Sequence, residues 1–294
     1  MAWTELYPRS LDDVYSVLNR ISDAQVYVFR GHASAAWKRL APSLHRVLGN
    51  KRSPGEQIRL EAAAIRAFRR HARSLLHVSE LDYFNRILDS ITLMQHYGAP
   101  TRLLDWTLSP WVACYFAVRD HDDDDAAIWA FNRDELESAN HQHRRAHSRA
   151  FGRFTDLVSA ASVEDWAWSA VRAGTYISTF RYEYANPQMG AQQSLFTISG
   201  TLGDDHNDAL ERWLPEKWQT VRVIISKAHK LPLRQQLFRM NVGALNLFPS
   251  IDGVGRYISE AVQSDFPLGD EGLGWNLEAR ARRHPRARVT RGSS

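Results

Sequence analysis

The chain has 294 residues, of which 44% are hydrophobic and 24% charged, enough apolar material for a full core. One cysteine, Cys114, excludes a disulfide framework and a thiolate zinc cluster. The formal charge of +4 is small for this length, so the placement of the charges carries more information than their sum.

Residues 11 to 21 put Leu11, Val14, Val17, Leu18 and Ile21 on one face behind Ser10, which predicts a capped helix. Residues 26 to 30 read as a short buried strand that ends in Arg30 and is broken by Gly31. Residues 55 to 79 predict a long charged helix whose apolar stripe is Ile58, Ala62, Ile65, Phe68 and Leu75. A second helix over 81 to 97 is ended by Gly98 and Pro100. An apolar helix over 110 to 119 carries Cys114, expected to be a small buried hydrophobe. The run from Ala126 to Phe131 reads as a strand. Residues 132 to 173 are polar and helical, with Trp166 and Trp168 as anchors. Strands are expected over 175–182, 194–199 and 220–226, and helices over 231–243 and 253–263. Helices first, then strands mixed with helices, define an α+β class. One domain over 1–262 and a flexible basic tail over 263–294 are expected.

Polar groups crowd between Gln95 and Ser109, just before the chain turns apolar at Trp111. So many polar groups are costly to bury without partners, so the stretch reads as a site built against a core. Other landmarks surround it. They are Phe29-Arg30-Gly31, Trp37, Pro42-Ser43-Leu44, Arg46, Glu61, Gln95-His96-Tyr97-Gly98, Gln192-Gln193-Ser194 and the segment from Leu247 to Gly253.

This ordered series resembles the FRG family, named for its Phe-Arg-Gly tripeptide. The FRG pattern in turn resembles ADP-ribosyltransferases at three places: Arg30 with Gly31 on a first strand, Thr107 to Ser109 leading into the helix of Tyr115-Phe116-Ala117, and Gln193 before a later strand. The resemblance implies an ADP-ribosyltransferase-like split β-sheet core with surrounding helices. It also implies NAD as a substrate and no metal. Arg30 would grip pyrophosphate or ribose with its permanently charged fork. Gly31, Thr101, Arg102, Thr107, Ser109 and Tyr115 would surround the dinucleotide. His96 would act as a base or stack on nicotinamide. Gln193 stands where these enzymes carry a Glu, and an amide supplies neither charge nor a base at neutral pH. Asp105, and after it Glu61, are the carboxylates expected to face the ribosyl cation. The structural alternative for Asp105 is a salt bridge to Arg102.

Basic clusters at Arg66 to Arg73, at Arg144 to Arg149 and through the C-terminal tail, with an isoelectric point near 9.3, point to a polyanionic partner. The resemblance implies a toxin or anti-phage defence effector that transfers ADP-ribose, neutralised or escorted by an antitoxin or chaperone protein, and the basic clusters make nucleic acid the expected acceptor, with RNA favoured. A protein acceptor, hydrolysis without an acceptor, and a non-catalytic NAD- or nucleotide-binding module are the alternatives. His141, His143 and His147 lack the acidic or Cys complement of a metal site. No apolar signal region and no membrane-length segment is found, so a cytoplasmic protein without a membrane partner is expected.

Overall fold

The computed structural model describes residues 3–24, 26–49, 52–76, 81, 84, 86–146, 148–172, 174–181, 187–202, 205–264 and 266. Among them run strands β1 (Thr4–Leu6), β2 (Tyr27–His32), β3 (Leu103–Thr107), β4 (Ala126–Asn132), β5 (Ile177–Phe180), β6 (Ser194–Ser199) and β7 (Thr220–Ile225). The helices are α1 (Leu11–Asp23), α2 (Ser43–Leu48), α3 (Pro54–Ala72), α4 (Ile87–His96), α5 (Pro110–Val118), α6 (Arg133–Ala146), α7 (Ser148–Val158), α8 (Val163–Arg172), α9 (Pro187–Ala191), α10 (His206–Trp213), α11 (Lys230–Arg239), α12 (Ala244–Leu247) and α13 (Ile251–Ser264).

The helix starts follow local chemistry. Ser10 accepts from the Asp13 amide at 3.1 Å, Ser53 and Glu56 form a reciprocal capping box ahead of Pro54, and Ser109 caps α5 ahead of Pro110. The strands form one seven-stranded sheet in the order β1-β7-β4-β2-β3-β6-β5, antiparallel throughout except for β1 with β7. The class is mixed α+β, as expected. Alternation along β2 sends Val28 into a core shared with α3, α4, α7 and α8, and Phe29 into one shared with α1, α5 and α11. Helices therefore cover both faces, and β4 is buried at nearly every position.

One junction in this sheet positions the site. β2 pairs with β4 along its whole length but meets β3 at a single position, Phe29 opposite Thr107. Beyond that point the two strands part.

Several expectations are corrected. Gly31 does not break β2, which continues through His32. It is glycine because α5 crosses there: an added Cβ would lie 2.1 Å from the Ala113 carbonyl oxygen and 2.6 Å from the Ala117 nitrogen. Helix α3 ends at Ala72, leaving Leu75 85% exposed, and α4 begins only at Ile87. Trp166 is a buried anchor, whereas Trp168 faces solvent. The ADP-ribosyltransferase resemblance would set the strand carrying Arg30 beside the strand after Gln193, but β3 lies between them. Helix α13 runs past the expected boundary at 262 to Ser264, and residues 265 and 267–294 of the expected tail lie outside the described residues. So do the side chains of Arg144, Arg145 and His147.

Candidate functional site

A cavity of about 720 Å³ opens where β2 and β3 part. Arg30 projects from β2 into this gap, where its Nη1 donates to the Asp105 carbonyl oxygen at 2.8 Å and lies 3.9 Å from the Asp105 carboxylate. The guanidinium thus bridges two strands where the ladder fails. Burial lowers its pKa and Asp105 opposes that shift, but a guanidinium starts so high that it stays charged. Its cross-strand neighbour is Trp129, over which Arg222 of β7 sits at 4.7 Å.

His32 continues the β2 row. Arg30 Nε donates to its Nε2 at 3.3 Å, while Trp129 Nε1 lies 3.1 Å from its Nδ1. Burial, reinforced by the charge of Arg30, pushes the imidazole down to about 3. An imidazolium would set N–H against N–H, so the ring is neutral at pH 7.

Asp105 is the outward residue of β3, between the buried Leu104 and Trp106. Its Oδ2 accepts from Gln95 Nε2 at 2.7 Å, and Gln95 Oε1 accepts from the Thr101 hydroxyl at 2.5 Å. A relay from Thr101 through Gln95 therefore orients a carboxylate that is half open to the cavity. Trp106 forms part of the lining, its indole N–H bonded to Thr197 at 2.9 Å and its ring edge-on to Phe131. Thr107 donates to the Gln192 carbonyl at 2.7 Å, which closes the β6 side. The outer wall is aromatic and basic: Trp37, Phe116, Phe248, Arg39, Arg46 and Arg119. Arg39 makes a two-pronged pair with Asp205, and Arg119 pairs with Asp120.

Arg30, Gly31, Asp105 and Thr107 are thus brought together. The other expected site residues are not. Glu61 is 3% exposed and joins the equally buried Arg102 through both carboxylate oxygens, with Trp166 donating to the same group. Both are core residues, and neither reaches the cavity. Arg102 does not pair with Asp105, whose partner is Arg30. Thr101 is buried and acts through Gln95, and Ser109 is spent capping α5 by accepting from Val112. Tyr115 turns to the far side of its helix and donates to Glu260, while the next residue, Phe116, lines the cavity. His96 ends α4 away from the lining, edge-on to Tyr97 at 4.9 Å. Gln193 is exposed with a φ of 48°, and its neighbour Gln192 lines the cavity instead. The landmark Trp37 is 47% exposed at the rim.

His32, Arg39, Arg119 and His121 were not legible as site residues, because nothing local separates them from ordinary surface or strand positions. Trp37, Arg46 and Gln192 carried a signal as motif landmarks. Among the described residues no group of His, Cys, Asp and Glu is arranged to hold a metal ion, and no helix is long and apolar enough to cross a membrane.

Residues 25–126 match the family model of the FRG domain, so the chain carries an FRG domain over that span. The span holds β2, β3, α5 and every residue of the Arg30–Asp105 pair and its relay. The landmarks at Gln192 to Ser194 and Leu247 to Gly253 lie beyond it. Neither the curated proteins nor the solved structures contain a match to the chain.

Proposed function

We propose that this protein is an NAD-dependent ADP-ribosyltransferase, a toxin or defence effector whose acceptor is nucleic acid. The observation that carries this reading is the pairing of Arg30 with Asp105 in the wall of a cavity lined by further arginines. The volume lies within the roughly 300–1,000 Å³ of ligand pockets. Arg30 suits a pyrophosphate, since a guanidinium fork bonds phosphate oxygens in pairs. In the reaction the bond from ribose to nicotinamide breaks and its electron pair leaves with nicotinamide. A nucleophile on the acceptor then attacks the ribosyl carbon and gives up a proton. Asp105 supplies the negative charge facing the cation and is placed to accept that proton. Its fixed orientation through Gln95 means little reorganisation is needed when charge develops.

The uncharged lining on the β6 side, Gln188, Gln192 and Ser194, favours a second reading, in which the cavity binds a nucleotide without turnover. Labelled NAD incubated with separate RNA, DNA and protein pools decides between them. Release of nicotinamide with label on nucleic acid is expected, abolished in Arg30→Ala and reduced at least ~10²-fold in Asp105→Asn. Release without transfer would make the protein a hydrolase. Binding without release would make it a binding module.

A further inference from the structure

The cavity mouth carries a strip that the proposed chemistry does not use. Trp37, Lys38 and Arg39 follow β2 as an exposed segment, and the exposed Arg46 of α2 lies on the same rim. Trp37 is 47% exposed, yet it is held in place. Its amide donates to the Ser34 carbonyl at 3.2 Å, its own carbonyl lies 3.2 Å from His32 Nδ1, and its ring meets His121 and His32 edge-on at 5.0 and 6.1 Å. A fixed indole with half its surface open offers stacking area at small entropic cost.

Both signs lie beside it. Asp205 fixes the fork of Arg39 and offsets its charge, and the acidic run from Asp120 to Asp125 carries the His121 that meets the ring. Lys38 and Arg46 are the exposed cations of the strip. Arg46 donates to the Ala41 carbonyl at 2.6 Å and pairs with no carboxylate among the described residues. An aromatic platform flanked by cations is the arrangement that holds a single strand: bases stack and phosphates meet the cations. Trp37, Arg39 and Arg46 also line the cavity, so a strand on this strip can lower one nucleotide towards Asp105. A base inside a duplex could not make that descent without flipping out.

We propose that this strip docks a single-stranded nucleic acid, a base stacked on Trp37 and phosphates on Arg46 and Lys38. The inference rests on the ADP-ribosyltransferase reading only in making that strand the acceptor.

The test is anisotropy of a fluorescein-labelled single-stranded RNA of about ten nucleotides, titrated with the full chain at several salt concentrations without NAD. Trp37→Ala should weaken binding about 5- to 150-fold and Trp37→Phe should restore most of it. Arg46→Ala should reduce the salt slope by about one. A duplex of the same sequence should bind more weakly. The proposal is overturned if the wild-type chain does not hold the oligonucleotide, if Trp37→Ala binds as wild type, or if the duplex binds as tightly as the strand. Nicotinamide release is measured separately, without RNA. Strand binding that depends on Trp37 in a chain that never cleaves NAD upholds the strip and removes the enzyme reading. Cleavage by a chain that binds no strand does the reverse.

Discussion

Glu61→Gln separates a chemical role from a structural one at a residue expected to be the second carboxylate of the site. Glu61 and Arg102 are 3% and 1% exposed, and Arg102 Nε meets Glu61 Oε1 at 2.6 Å while Nη2 holds Oε2. Trp166 donates to Oε2 at 3.0 Å and stacks under the guanidinium at 5.0 Å. Removing the carboxylate charge strands a guanidinium in the core. The amide oxygen of the glutamine and the carbonyls of Ser199 and Gly200, at 3.2 and 3.4 Å, remain as acceptors, and none of them carries a charge. Breaking one side of such a pair costs about 3–5 kcal/mol. With a urea m-value of about 3 kcal/mol/M the unfolding midpoint falls by roughly 1 M or more. Tryptophan fluorescence across a urea series reads it directly. Replacing both partners, as Glu61→Gln with Arg102→Met, should recover much of the loss, since an apolar substitute leaves no orphaned charge. Nicotinamide release per folded molecule should be unchanged in Glu61→Gln. A variant as stable as wild type that no longer releases nicotinamide would refute the structural assignment and return Glu61 to the chemistry.

Further outcomes follow from the same geometry. Gly31→Ala drives a methyl into the Ala113 and Ala117 backbone, so α5 must shift from β2. A loss of about 1–3 kcal/mol or more is expected in the same urea assay, and unchanged stability would contradict the close approach. His32 and His206 are buried and held near pKa 3, below the value of about 6.5 they regain on unfolding. The unfolded chain therefore binds more protons between these values, so stability is full at neutral pH and falls as the pH drops below about 6.5. The slope is up to about 1.4 kcal/mol per pH unit for each histidine. His206→Gln should flatten the fall between pH 6.5 and 4, and an unchanged slope would mean the ring is not buried neutral. Gln193→Ala should leave nicotinamide release within twofold of wild type, because the side chain is exposed. A dead Gln193→Ala enzyme would restore that residue to the site.

Much of the fold was legible in local chemistry. Ser10 announced its helix as a cap, and the apolar runs at Ala126 to Phe131 and Thr220 to Ile225 have the length and branching of buried strands. The strand β1 and the short helix α2 carried no readable period, since a few residues cannot complete one. The site was legible in part. Arg30 and Asp105 stood out because a dense polar stretch laid against an apolar one is costly unless its groups are partnered, and the structure sets the two side by side.

What the sequence by itself determined is which elements form and which segment carries the polar site. Which way each side chain points was decided only by tertiary structure. Arg102 and Asp105 look like partners three residues apart, as they would be on a helix. In extended chain an odd separation sends them to opposite faces, so Arg102 turns to Glu61 and Asp105 to Arg30. The positive φ at Gln193 puts Gln192, not Gln193, against the cavity. On α5 a rotation of one residue puts Phe116, not Tyr115, in its wall. Each case turns on a single step along the backbone. That step is set by which strand pairs with which and where a helix crosses, and those contacts join residues far apart in the chain.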